Sequence, residues 1–292
     1  MKIAFFGLGT MGLPMAINLV KAGYQVTGFD RSIEQLNRLV AVGGLPATTP
    51  SVAVRGADVV ITMLPDDATT RSAIVDSGAI AELVQGAIHI NMGTVSVALA
   101  RELTQLHREH YGHYVAAPVL GRVNAAEAGQ LNILAAGAAD VLLTIKPLFE
   151  VMGQRIWHFG ERPEQANVAK LAANFMIGSA IATMGEAVTL AAGYGVSKID
   201  FMELITSTVF DAPAYRNYGH AIARESFEPP GFKLALGLKD VKLAMSAAEE
   251  VNVPLLMASV LRDAHIDSLA HGEGDMDWAA LSRAAARRAG QA

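Results

Sequence analysis

Six residues near the N-terminus have the spacing of a phosphate cradle: Gly7-Leu8-Gly9-Thr10-Met11-Gly12 reads G-x-G-x-x-G, directly after the apolar run Ile3 to Phe6. Each glycine has its own task. Gly7 allows a tight turn, Gly9 lets a pyrophosphate approach the backbone, and Gly12 lets the next helix pack close to the strand, whose neighbouring helix N-terminus offers N–H groups to the anion. The following apolar stretch, Gln25 to Phe29, ends on Asp30-Arg31-Ser32, where the adenosine ribose of a dinucleotide is expected. Asp30 suits the ribose hydroxyls of NAD, whereas Arg31 with Ser32 suits the 2′-phosphate of NADP. Both sets are present, and the reading favours NADP, with NAD as the alternative.

These residues need a particular scaffold. Leu13 to Ala22 has helical apolar spacing and stops at Gly23, so the order is strand, glycine turn, helix, stop. Strands are expected again at 58–64 and 87–91, each after a helix-like stretch, which continues the alternation of a doubly wound α/β sheet. Met63-Leu64-Pro65 and Thr94 then fall at the strand ends that line a dinucleotide crevice. Thr94 is either a hydrogen-bonding group near the nicotinamide ribose or the N-cap of the next helix. Past Arg162-Pro163 the chain reads as helices at 166–192, 198–207, 215–224, 237–251, 254–271 and 278–288. The expected division is a Rossmann domain over 1–163 and an all-helical domain over 164–292, the latter binding substrate and a second subunit.

Composition narrows the partners. The chain has 292 residues, a hydrophobic share of 52%, charged residues at 17% and a formal net charge of −5. Two domains are the starting expectation at this length. No stretch concentrates Lys and Arg, which argues against a nucleic-acid surface, and the apolar runs are broken too often for a membrane protein. Zero cysteines exclude disulfides and thiolate chemistry and fit a cytoplasmic protein. The apolar opening ends at Gly7, too early for a signal peptide. His107, His110 and His113 have uneven helical spacing and read as a solvated helix end rather than a metal site.

The chain resembles the β-hydroxyacid dehydrogenase family almost end to end. The likeness rests on Phe6-Gly7-Leu8-Gly9-Thr10-Met11-Gly12-Leu13-Pro14-Met15-Ala16, on Met63-Leu64-Pro65, on Ala117-Pro118-Val119-Leu120-Gly121, on Lys170 and Asn174, and on Leu238-Lys239-Asp240. It implies that Lys170 is the general acid/base and that Asn174 orients the substrate. It also implies that Lys239 reaches the cofactor and that Asp240 shapes the substrate cleft, the alternative for that pair being an exposed ion pair. Helical spacing agrees, since Lys170 and Asn174 lie one turn apart on one face.

One departure bears on the substrate. The family's loop carries a serine and two glycines, and this chain has Leu120-Gly121-Arg122. Gly121 keeps a backbone N–H, and Arg122 either grips a carboxylate in two-pronged fashion or points to solvent beside Glu127. The family's aspartate before Ala117 is Ala116 here, and the asparagine preceding Asn174 is Ala173. The implied activity is interconversion of a small 3-hydroxy, 2-hydroxy or 4-hydroxy acid and its aldehyde acid by hydride transfer, in a homodimer or homotetramer. The rivals are an imine reductase on the same scaffold, against which Lys170 argues, and a non-catalytic dinucleotide-binding protein, which would need neither Lys170 nor Asn174. The small, basic tail over 283–292 is expected to fray at its end.

Overall fold

Ile3 and Phe5 face one apolar cluster and Ala4 and Phe6 face another, so the first strand is buried on both sides. That explains why it reads as a continuous apolar run rather than an alternating one. The computed structural model describes residues 1–291. Its main sheet comprises β1 (Lys2–Phe6), β2 (Gln25–Phe29), β3 (Leu45–Pro46), β4 (Val59–Thr62), β5 (Ile88–Asn91) and β6 (His113–Ala116). All neighbours are parallel, in the order β3-β2-β1-β4-β5-β6. The order reverses between β1 and β4, and in such sheets ligands bind beyond the C-terminal strand ends at that reversal. This is the expected doubly wound α/β fold.

A second, three-stranded sheet was not foreseen. It contains β7 (Val119–Leu120), β8 (Leu131–Ala135) and β9 (Gly153–His158), with β7 antiparallel and β9 parallel to β8. It is joined to β6 by a bridge from Ala116 to Ala136.

The chain divides into two compact units, Met1–Lys170 and Leu171–Ala292, and the division falls inside one helix, Glu164–Gly193. The second unit is helical: Lys198–Ser207, Pro213–Arg224, Leu234–Glu250 and Leu256–Ala270, then a 3-10 turn Trp278–Ser282 and a short helix Arg283–Arg288. Its core gathers Ile181, Met184, Met202, Leu261 and Trp278. The tail is anchored further than expected, because the Arg287 guanidinium donates to Glu273 at 2.6 Å and to Asp267 at 3.1 Å. Ala292, the last residue of that tail, lies outside the described residues.

His107 corrects the reading of a solvated helix end: it is fully buried, with His89, in the first unit. The hydrogen bonds fix both tautomers. The Leu103 carbonyl can only accept, so Nδ1 of His107 donates to it at 2.8 Å, and its Nε2 must accept. His89 Nδ1 therefore donates across 3.2 Å to His107, leaving His89 Nε2 to accept from the Thr62 hydroxyl at 2.9 Å. Thr62 ends β4, so the relay braces a strand end next to the dinucleotide crevice.

Burial pushes the His107 pKa down to about 4, against a partial rise from the Leu103 carbonyl, and burial followed by the charge of His107 pushes His89 well down. Unfolded histidines titrate near ~6.5. Stability from this pair is thus complete above that value and is lost as pH falls towards 4, because only the unfolded chain takes up the protons. We expect the unfolding free energy from urea titration to hold steady from pH 8 to pH 7 and then to fall by about 1.4 kcal/mol per histidine per pH unit below ~6.5. His107→Gln should flatten that fall; an equally steep fall in the variant would show that the pair is not what titrates.

Candidate active site

The glycine turn is wedged from three sides. Gly7 donates its N–H to Phe29 at 3.1 Å, and Leu8 donates to Oδ2 of Asp30 at 2.6 Å. Gly7 sits at φ +88°, and a Cβ there would overlap the Met63 carbonyl. At Gly12 a Cβ would overlap the Gly7 carbonyl oxygen, so the helix Gly12–Lys21 starts in contact with the turn only because no side chain intervenes.

Gly9 behaves differently: a Cβ there would meet nothing within 4 Å, and its φ lies outside the left-handed range. Nothing inside the protein requires this glycine. The helix start beside it also lacks a side-chain cap at Met11. Bare backbone and uncapped N–H groups are what a pyrophosphate needs, so the residues fit a dinucleotide. Thr10 is exposed and Met11 half-buried next to them.

At the ribose position the Asp30 carboxylate accepts from Leu8 through one oxygen and from the Ser32 N–H at 2.8 Å through the other. Ser32 caps the helix Ile33–Val40, with its hydroxyl 3.4 Å from the Gln35 amide, and Arg31 is exposed. Met63 donates to Phe6 at 2.8 Å, and Leu64 and Gly93 pack so closely that a Cβ on Gly93 would lie 2.5 Å from the Leu64 carbonyl. Pro65 follows in the same turn after β4. The helix Val97–Glu109 is capped by Ser96, whose hydroxyl accepts from Leu99 at 2.9 Å, so the capping alternative for Thr94 is excluded.

Sequence reasoning missed two side chains that hold these loops. Asn91 accepts from the Gly93 amide at 3.0 Å and donates to the Tyr114 hydroxyl at 3.1 Å. Asn18 donates to the Ala126 carbonyl at 2.9 Å, fastening the glycine-turn helix to the helix Val123–Glu127, which follows Leu120-Gly121-Arg122. Gly121 adopts φ +149°, and a Cβ would come within 2.7 Å of Leu131, so this loop glycine is required by the backbone. Leu120 and Arg122 are both half-buried.

Lys170, half-buried, and Asn174, 4% exposed, lie one turn apart on the helix Glu164–Gly193. Within the second unit the Asn174 amide nitrogen donates to Oδ2 of Asp240 at 2.5 Å. The carboxylate fixes which way the amide faces, since a flipped Asn174 would set two oxygens against each other. Lys239 lies 3.0 Å from Oδ1 of Asp240 as an ion pair, and the Asp240 side chain is only 1% exposed, so the alternative of an exposed pair fails. Asn167, on the same stripe one turn before Lys170, was also missed; it is 1% exposed and its amide has no hydrogen-bond partner among the described residues.

A parallel sheet of this order with an open glycine turn at its reversal defines a Rossmann-type fold. Residues 2–160 match the family described as the NAD binding domain of 6-phosphogluconate dehydrogenase, and residues 165–285 match the NAD-binding region of NADP-dependent 3-hydroxyisobutyrate dehydrogenase. The chain is 40% identical to an uncharacterised oxidoreductase of Bacillus subtilis, over 96% of this chain and 98% of that one. It is 30% identical to glyoxylate/succinic semialdehyde reductase 1 of Arabidopsis thaliana, over 97% and 98%. The structure of Mycobacterium tuberculosis 3-hydroxyisobutyrate dehydrogenase with L-serine superposes with a TM-score of 0.86 at 31% identity, covering 97% of this chain and 98% of that one. The chain belongs to the β-hydroxyacid dehydrogenase family.

The two glycines should separate under mutation. Gly9→Ala should leave thermal stability near that of the wild type but weaken NADPH and NADH binding at least about tenfold, or ~1.4 kcal/mol. Gly12→Ala should cost about 1–3 kcal/mol of stability by overpacking. Unfolding curves and nucleotide fluorescence titrations measure both; wild-type affinity in Gly9→Ala would show that the cradle does not hold the pyrophosphate.

Proposed function

We propose that this protein interconverts a small hydroxy acid and the corresponding aldehyde acid, with Lys170 as general acid/base. The observation that carries the reading is the buried pair of Asn174 and Asp240, on a helix that also carries Lys170 one turn before Asn174. A lysine and an amide share one helix face, and a buried carboxylate 2.5 Å away sets the orientation of that amide.

The nicotinamide cofactor supplies the hydride on reduction and takes it back on oxidation. Lys170 gives a proton from Nζ to the carbonyl oxygen as negative charge develops there, and the same Nζ takes that proton back in the oxidation direction. Asn174 orients that oxygen. Lys239 approaches the cofactor, and Asp240 holds Asn174 in place. Gly121 offers its backbone N–H to the substrate carboxylate, and Arg122 adds the cation that replaces the family's serine hydroxyl. Thr94 bonds near the nicotinamide ribose, and Met63-Leu64-Pro65 walls the cofactor.

NADP is the preferred cofactor in this reading. The two N–H groups on Asp30 disperse its charge, and exposed Arg31 stands ready for a 2′-phosphate. Arg31→Ala should lower NADPH affinity relative to NADH, and an unchanged ratio would reassign the site to NAD. Exposed Met176 and Leu190 on the long helix, and Tyr194 directly after it, support a homodimer or homotetramer, which light scattering decides.

The test is oxidation of NADPH and NADH against glyoxylate, succinic semialdehyde, tartronate semialdehyde, methylmalonate semialdehyde and a cyclic imine. Turnover of an aldehyde acid is expected, and Lys170→Ala should reduce kcat by about 10²–10⁴-fold with cofactor affinity retained. Turnover of the imine alone would overturn the hydroxy-acid reading and assign the Leu120-Gly121-Arg122 loop to a different substrate.

A further inference from the structure

The helix Leu234–Glu250, which carries Lys239 and Asp240, is entered through the loop 227–233, and that loop has little structure of its own. It is held from a distant part of the chain. Asp277, 5% exposed, accepts through Oδ2 from the Gly231 amide at 2.8 Å and from the Phe232 amide at 3.3 Å. Its other oxygen accepts from Ala279 at 3.0 Å and so caps the turn Trp278–Ser282. The backbones are stitched as well: Asp277 donates to Phe227 at 2.9 Å, Trp278 to Phe232 at 2.8 Å and Leu234 to Met276 at 2.9 Å.

Trp278 makes this a fixed reference rather than a flexible tie. It is 2% exposed, and its indole N–H donates to Nε2 of fully buried His265 at 2.7 Å. The opposite nitrogen of His265 donates to the Leu261 carbonyl at 2.7 Å, so ring and tautomer are both set. The indole packs against Phe232, with ring centroids 5.1 Å apart, and lies so close to Gly237 that a Cβ there would overlap it. Gly237 is in the first turn of the helix, directly before Leu238-Lys239-Asp240.

We propose that Asp277 is a positioning residue: its carboxylate, backed by Trp278 and His265, sets the start of the helix that presents Lys239 and Asp240. The role in turnover rests on the function proposed above. Charge-assisted bonds to backbone amides are about twice as strong as neutral ones, and they leave the loop no rotamer to choose. An Asp240 carboxylate 2.5 Å from Asn174 tolerates little displacement. Loss of the Asp277 bonds therefore propagates into the orientation of Asn174.

The experiment compares Asp277→Asn, which keeps the size but puts amide hydrogens against backbone donors, with Asp277→Glu and the wild type. Amide hydrogen exchange reads the latch directly. Asp277→Asn should speed exchange at Gly231, Phe232 and the first turn of the helix at least about tenfold, with Lys198–Ser207 unchanged. With the aldehyde acid that the wild type turns over, kcat/KM should fall at least tenfold and NADPH affinity should stay within twofold. Unchanged exchange at Gly231 and Phe232 would overturn the latch. Faster exchange with wild-type kcat and KM would overturn its positioning role, as would a loss of turnover matching only a loss of folded protein. If Asp277→Asn does not fold, Asp277→Glu, which keeps the charge but displaces it, is read by the same two measures. A wild type that turns over no aldehyde acid defeats the functional reading instead, and the latch is then judged on exchange alone.

Discussion

The missing side chain at Gly12 is the constraint on which the first unit depends. Because nothing separates the start of the helix Gly12–Lys21 from the Gly7 carbonyl, the N–H groups of that helix are delivered to the C-terminal end of β1. β1 is central in the sheet, next to the point where strand order reverses. The anion-binding end of a helix, worth roughly half an elementary charge, is thereby placed where neighbouring connections leave in opposite directions and a crevice opens. The other bonds around the turn hold that placement. Phe29 accepts from Gly7, Asp30 from Leu8, and the Met63 carbonyl occupies the space that a side chain at Gly7 would need. Three strands thus converge on a few backbone atoms, and the residue left without an internal reason, Gly9, is the one that faces outward.

What the sequence revealed follows from how local each signal was. The glycine turn, the strands flanking it and the helix Lys198–Ser207 are written in contiguous residues, and they lie where spacing predicts. β7, β8 and β9 were not legible. β7 is two residues long, and β9 alternates with mostly exposed positions, Arg155 and Trp157 among them, so neither produces an apolar run. His107 misled for a related reason. Charged residues follow it and it sits in the last turn of its helix, yet its partner is His89 on a strand, a contact that no local pattern announces. The same limit applied to the site. Lys170, Asn174 and Asp240 were found through resemblance, while Asn91, Asn18 and Asp277 act on backbone groups remote in sequence, a role that spacing does not encode.

The buried carboxylates of the second unit are held by different sets of partners. Each costs several kcal/mol to remove from water and must recover that from its partners. Asp277 recovers it from three backbone amides, which cannot move without moving the fold. Glu273, 2% exposed, recovers it from Arg287 at 2.6 Å and Arg283 at 3.2 Å, and in doing so fastens the C-terminal helix. Asp240 likewise relies on two side chains, the Asn174 amide and the Lys239 ammonium. Side chains can exchange partners through rotation, whereas backbone amides cannot. Of the three, Asp277 is therefore the carboxylate whose partners are fixed with the backbone, whereas Glu273 and Asp240 depend on how side chains are placed. The rigid anchors, Asp277 and Trp278, lie at the start of the helix that carries Asp240, so the carboxylate that depends on side-chain placement rides on an element whose entry is fixed.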